Sequence, residues 1–173
     1  SESDCQCSIG FGYDPATATC ALCDVGAYKD TVGNGICTRC PLLMSTMENG
    51  ATSDQQCQCQ AGLFQDGGQC RECSVGFYCP GGGQMIPCPD NATTISQAKS
   101  PSDCVCAAGY FFATSNGSST CLPCARRNYK PSVGNSDCPL SCPTSADSEP
   151  GSVGLADCFC QPGYYASVSS TGQ

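Results

Sequence analysis

Two cysteines one residue apart, with a glycine three residues after the second, occur four times in this chain. The pairs are Cys5/Cys7, Cys57/Cys59, Cys104/Cys106 and Cys158/Cys160, and their first members lie 52, 47 and 54 residues apart. A period of this size is the mark of a repeat array, in which each unit is one small supersecondary element. The fullest copy runs from Cys57 to Cys70, Cys-Gln-Cys-Gln-Ala-Gly-Leu-Phe-Gln-Asp-Gly-Gly-Gln-Cys. Its Asp66-Gly67-Gly68 is a turn signal between short extended runs.

Twenty cysteines in 173 residues place the chain among disulfide scaffolds. Such density suits an oxidising compartment, because cytosolic reductants keep thiols free. That points to the secretory pathway and to an extracellular or cell-surface location. The chain shows no signal peptide and does not begin with Met, so the export signal is expected in precursor sequence. Units of about 50 residues bury too little apolar surface to fold on hydrophobic area alone. Each short-loop disulfide contributes about 3 kcal/mol in the chain-entropy model, so several per unit outweigh a thin core.

Seven Lys plus Arg against fifteen Asp plus Glu leave a net charge of −8. No basic patch is present to neutralise phosphates, which argues against nucleic acid as a partner. No run of 18 apolar residues exists, which argues against membrane insertion in this segment. The chain has no His, which removes Ser-His and Cys-His nucleophiles. No acidic pair recurs in a cleft-forming frame, so no catalytic residue, cofactor site or enzyme activity is expected. Cys20-x-x-Cys23 with Cys37-x-x-Cys40 has zinc-ribbon spacing. Absence of His, interleaving with Cys-x-Cys and export all favour disulfides over metal there.

The repeats read as a partial unit at 1–22, then units at 23–72, 73–123 and 124–173, the last cut within its closing hairpin. The third unit repeats the first closely: Tyr129-Lys130-x-x-Val133-Gly134-Asn135 matches Tyr28-Lys29-x-x-Val32-Gly33-Asn34. In the first unit Asn34-Gly35 between extended runs is a hairpin signal. The second unit departs, because Tyr78 is followed at once by Cys79 and Pro80. Four cysteines still precede the second Cys-x-Cys cysteine: Cys23, Cys37, Cys40 and Cys57 in one unit, Cys73, Cys79, Cys88 and Cys104 in the next. Eight of the 13 aromatic residues lie just after a Cys-x-Cys-x-x-Gly glycine, as Phe11 and Phe64 do, and are expected to form each unit's core. An exposed aromatic ladder for a ligand or carbohydrate is the rival reading. Asn91-Ala-Thr93 and Asn116-Gly-Ser118 are N-glycosylation acceptor patterns in turn-rich segments.

Cys-x-Cys-x-x-Gly-aromatic followed by Cys resembles the C-terminal half of an epidermal-growth-factor (EGF)-like module. The wider run Cys23-Asp-Val-Gly-Ala-Tyr-Lys…Cys-Thr-Arg-Cys-Pro…Cys-Gln-Cys-Gln-Ala-Gly is closer to the ephrin-receptor-like (GCC2/GCC3-type) cysteine-rich repeat. The resemblance implies a small disulfide-rich fold of short β-hairpins and loops, in tandem EGF-like repeats. Only two residues separate closing and opening cysteines at Cys20–Cys23, Cys70–Cys73 and Cys121–Cys124, so a stiff rod is expected. Calcium-binding modules of this kind carry an acidic cluster before the first cysteine, which these joints lack.

Six cysteines allow 15 connectivities. The growth-factor-like order implied by the resemblance gives Cys7–Cys20, Cys23–Cys40, Cys37–Cys57, Cys59–Cys70, Cys73–Cys88, Cys79–Cys104, Cys106–Cys121, Cys124–Cys142 and Cys138–Cys158. Sequential pairing, similar to parts of tumour-necrosis-factor receptors, is the alternative, with Cys23–Cys37 and Cys40–Cys57. Cys5 and Cys160 are left over where repeats are cut, as in a window from a longer array. The functional expectation is a structural spacer, stalk or fibre subunit of a large extracellular or cell-surface protein. Its partners would be further repeats of the same chain or other copies in an assembly, with N-glycans attached. A receptor ectodomain with a protein ligand, or a carbohydrate-recognising module, is the alternative.

Overall fold

The computed structural model describes residues 5–115 and 118–165. Its regular elements are short strands, with three single 3-10 turns as the only helical segments among the described residues. The partial unit is one hairpin, β1 (Phe11–Asp14) with β2 (Thr19–Leu22). The next unit has β3 (Ala27–Tyr28) with β4 (Thr38–Arg39), then β5 (Met44–Ser45) with β6 (Gln58–Cys59), and closes with β7 (Leu63–Asp66) and β8 (Gln69–Glu72). The following unit holds β9 (Phe77–Tyr78), β10 (Ile86–Pro87), β11 (Ala92–Thr93) with β12 (Val105–Cys106), and the hairpin β13 (Tyr110–Ser115) with β14 (Ser118–Pro123). The last has β15 (Asn128–Tyr129) with β16 (Leu140–Ser141), and β17 (Ala146–Asp147) with β18 (Phe159–Cys160). Strands pair only in twos, and no larger sheet forms among the described residues. The fold is a small disulfide-rich one, as expected.

The chain divides into two compact units. One holds residues through 74 with 78–86 and 97–100; the other holds 75–77, 87–96 and 101 onward. The division falls inside the repeat at 73–123.

The disulfides run in sequence. They join Cys7–Cys20, Cys23–Cys37, Cys40–Cys57, Cys59–Cys70, Cys73–Cys79, Cys88–Cys104, Cys106–Cys121, Cys124–Cys138 and Cys142–Cys158. The three hairpin bonds are common to both expected orders. The other six pairs of the growth-factor-like order (Cys23–Cys40, Cys37–Cys57, Cys73–Cys88, Cys79–Cys104, Cys124–Cys142 and Cys138–Cys158) are replaced. The reason is local: the ladder Ala27↔Arg39, Tyr28↔Thr38 folds the chain back so that Cys37 meets Cys23, with Cα atoms 5.7 Å apart. That separation is ordinary for a disulfide. Cys40 then opens a second loop that returns to Cys57, at a Cα separation of 5.6 Å. Each bond closes one short loop, and the loops of a unit do not interlace.

The second loop begins with a turn that recurs in all three units. Met44 N–H donates to Pro41 O, Ala92 N–H to Pro89 O and Ala146 N–H to Pro143 O. The residue before each donor (Leu43, Asn91 or Ser145) has a left-handed backbone, with φ between 61° and 68°. Asn tolerates that conformation more readily than Leu or Ser.

Among the described residues the core holds no aromatic ring. Its buried apolar residues are nine cysteines (7, 23, 59, 73, 79, 106, 121, 124 and 142) and three alanines (51, 98 and 146). The rings expected to fill it are half-buried, as Phe64 and Phe111 are, or exposed, as Phe11, Phe112, Tyr164 and Tyr165 are. Two-stranded ladders have too little surface to enclose a ring that presents 150–250 Å². Sulfur bridges and backbone hydrogen bonds fill the interior instead.

Candidate functional site at the joints between repeats

The best-built feature is the seat of each closing hairpin on the repeat that follows. At the first joint Gly10 N–H donates to Lys29 O at 2.8 Å, and Cys23 N–H donates to Gly10 O at 2.9 Å. Lys29 N–H reaches Ala51 O at 3.0 Å, and Gly50 N–H reaches Cys23 O at 2.7 Å. Gly33 N–H donates to Cys7 O at 2.9 Å, and Cys7 N–H donates to the Asn34 side-chain oxygen at 3.2 Å. The third joint repeats every one of these bonds. Gly109 N–H donates to Lys130 O, Cys124 N–H to Gly109 O, Lys130 N–H to Ser152 O, and Gly151 N–H to Cys124 O. Gly134 N–H donates to Cys106 O, and Cys106 N–H to the Asn135 side chain at 3.0 Å. At the middle joint Gly62 N–H donates to Cys79 O, Cys73 N–H to Gly62 O, Cys79 N–H to Ala98 O and Gly82 N–H to Cys59 O.

The motif glycine is required here for two reasons. Gly10 and Gly109 have φ of 77° and 82°, where a side chain is strained. A Cβ would also stand 2.5 Å from Gly50 O at Gly10, and 2.1 Å from Gly151 O at Gly109.

Two lysines complete the outer joints. Lys29 is 5% exposed and Lys130 is fully buried. Lys29 Nζ donates to Gly33 O at 2.5 Å and Cys7 O at 3.3 Å. Lys130 Nζ donates to Tyr110 O at 2.7 Å and to Gly134 O. Burial holds the Lys130 ammonium below the usual lysine pKa, since it disfavours the charged form. At the middle joint the same place after the strand tyrosine holds Cys79, fully buried and bonded to Cys73.

Sequence reasoning registered the Tyr-Lys-x-x-Val-Gly-Asn match but gave the lysine no role and read Asn34-Gly35 as a hairpin turn. Asn34 is not the first residue of a tight hairpin turn; nine residues lie between Tyr28 and its partner Thr38, and the Asn34 side chain caps Cys7 instead. The tight turn lies at Gly67-Gly68, with φ of 57° and 84°, between the paired Asp66 and Gln69. Both values are positive, as the hairpin-favouring turn requires.

The cysteines with zinc-ribbon spacing each belong to a disulfide: Cys20 to Cys7, Cys23 to Cys37, and Cys40 to Cys57. Cys5 and Cys160 are exposed free thiols. Asn91 is exposed on the left-handed turn before β11, with Thr93 half-buried in that strand. Asn116 lies outside the described residues. Beside the third unit's ladder, Arg126 contacts Asp147 at 3.0 Å and Glu149 at 3.6 Å. The Ser148 backbone N–H, helped by Arg126, holds the Asp147 carboxyl below its ordinary range. Among the described residues no helix is long and apolar enough to cross a membrane.

These ladders, sequential disulfides and backbone seats define a tandem cysteine-rich repeat module. A family model described as tyrosine-protein kinase ephrin type A/B receptor-like matches residues 10–57 and 109–158. The chain belongs to this ephrin-receptor-like family of cysteine-rich repeats. Each matched stretch runs from a joint glycine through a buried lysine to the cysteine that closes the second loop, Cys57 or Cys158.

Among curated proteins the chain is similar to cysteine repeat modular protein A of Toxoplasma gondii, 33% identical over 95% of this chain and 6% of that protein. Cysteine repeat modular protein B of the same organism is 36% identical over 96% of this chain and 3% of that protein. Mouse signal peptide, CUB and EGF-like domain-containing protein 2 is 32% identical over 68% of this chain and 13% of its own length. The chain thus spans only a small fraction of the relatives it matches, and those relatives are named for repeat and EGF-like modules.

Proposed function

We propose that this segment is a structural spacer, stalk or fibre subunit within a large extracellular or cell-surface protein, without catalytic activity of its own. The observation that carries the reading is the composition of the core, whose buried apolar residues among those described are cysteine and alanine. Such an interior is stable only where thiols are oxidised. The joints support the same reading, because regular hydrogen bonds tie each hairpin to the next unit and leave no free linker. Its partners are further repeats of the same chain or other copies in an assembly. Asn91, exposed on its turn, is the glycan acceptor of this reading.

Intact cells treated with a membrane-impermeant amine reagent test it. The native protein should carry label at the exposed Lys99 and migrate as an oxidised species on a non-reducing gel. Recovery of an unlabelled, fully reduced chain from the cytosol would sink the proposal.

A further inference from the structure

We propose that the residue after the strand tyrosine, occupied by Lys29, Cys79 and Lys130, is the lock of the joint and exists in two interchangeable chemical forms. One form is an ammonium held in a cage of backbone carbonyls. The other is a disulfide closed over six residues. The proposal goes beyond the spacer reading and does not depend on it.

The whole chain has three lysines, and two of them occupy this position. Lysine is rarely buried unless its charge is satisfied. No carboxylate pairs with Lys29 or Lys130 among the described ion pairs. Each ammonium instead donates to one carbonyl of the preceding hairpin, Cys7 O or Tyr110 O, and to one of its own loop, Gly33 O or Gly134 O. Bonds from a charged donor are about twice as strong as neutral ones, and the bond to Cys7 O is buried while the other three are part-buried. The long flexible stem lets one head group bridge two backbones that no shorter side chain could reach. Each lysine therefore clamps hairpin to loop, beside the backbone bonds of Gly33 and Gly134.

The middle joint reaches the same end differently. Cys79 keeps the backbone role of Lys29, donating to Ala98 O and accepting from Gly62 N–H. Its side chain turns to Cys73, six residues earlier, with Cα atoms 5.9 Å apart. Lys130 stands the same six residues after Cys124. In the lysine form the first cysteine reaches fourteen residues on, to Cys37 or Cys138. Exchange of the lysine for a cysteine thus frees the later cysteine position, and the count per unit stays constant. Loops differ accordingly, with Gly33-Asn34 and Gly134-Asn135 beside the ammonium and Gly81-Gly82-Gly83 beside the short disulfide.

Three measurements on the whole chain test the proposal. Acetylation of the native protein with N-hydroxysuccinimidyl acetate, read by peptide mass spectrometry, should modify Lys29 and Lys130 at least a hundredfold more slowly than the same lysines in the reduced, unfolded chain. Equal rates would overturn it. In a Lys130→Met variant with all nine disulfides intact, amide exchange at Gly109 and Gly134 should accelerate at least tenfold. Unchanged protection would show that the side chain merely fills space. The double variant Lys130→Cys, Cys138→Ser, refolded with glutathione disulfide, should join Cys124 to the introduced thiol. Two thiols are oxidised there and one glutathione disulfide is reduced to two glutathiones. Protection at Gly109 should survive, whereas a free Cys124 or loss of that protection would overturn interchangeability. Should the Met variant fail to fold, the acetylation rates and the double variant still decide.

Discussion

Alanine in place of Gly109 should cost more than about 2 kcal/mol, because it combines left-handed strain with a clash against backbone. Its Cβ would lie 2.1 Å from Gly151 O, and neither backbone can move without breaking the joint. Gly67→Ala is the control: φ is 57° with nothing within 4 Å, so about 1 kcal/mol is expected. Denaturant unfolding with disulfides intact measures the difference, and equal costs would contradict the close approach. The motif glycine was legible in the sequence because its spacing is strict. The buried lysines were not. Their positions matched across units, but a lone Lys ordinarily reads as a solvated side chain. What buries them is a carbonyl 20 or 22 residues away, which no local pattern reports.

At the scale of the strand pair, each ladder of two residues decides which cysteines meet. Peptide mapping under non-reducing conditions should recover Cys23 joined to Cys37, Cys40 to Cys57 and Cys73 to Cys79. A peptide joining Cys23 to Cys40 would refute the ladder β3–β4. The hairpin bonds Cys7–Cys20, Cys59–Cys70 and Cys106–Cys121 were readable, because the closing cysteine lies across a short turn from its partner. The other six were not, since the growth-factor-like order and the sequential order use the same cysteines. They differ only in whether the loop after Tyr28, Tyr78 or Tyr129 returns before or after the next cysteine. The Asn-Gly signal misled for a related reason: Asn34 works through its side chain on another unit's backbone, not through a local turn.

Across the whole molecule, the interior offers little besides sulfur. Treatment with a phosphine reductant at neutral pH should abolish amide protection in both compact units, since among the described residues no buried aromatic or aliphatic cluster remains to hold them. Hydrogen exchange followed by mass spectrometry reads this directly, and protection that outlasts complete reduction would show a core the structure lacks. The class of fold was legible from cysteine density and period alone. The division into units was not, because the boundary passes through the repeat at 73–123 and follows contacts that spacing does not encode.

The hairpin side of every joint contributes only main-chain atoms to the hydrogen bonds described: Cys7, Gly10 and Tyr13 at the first, Cys59, Gly62 and Gln65 at the second, Cys106, Gly109 and Tyr110 at the third. Main-chain groups are the same whatever the side chains, so apart from its cysteines and motif glycine a hairpin's own sequence can drift while its seat is preserved. A duplicated or excised copy would meet the same groups on either side. A gene of this design can change the length of its product by whole copies without compensating substitutions at the new seam.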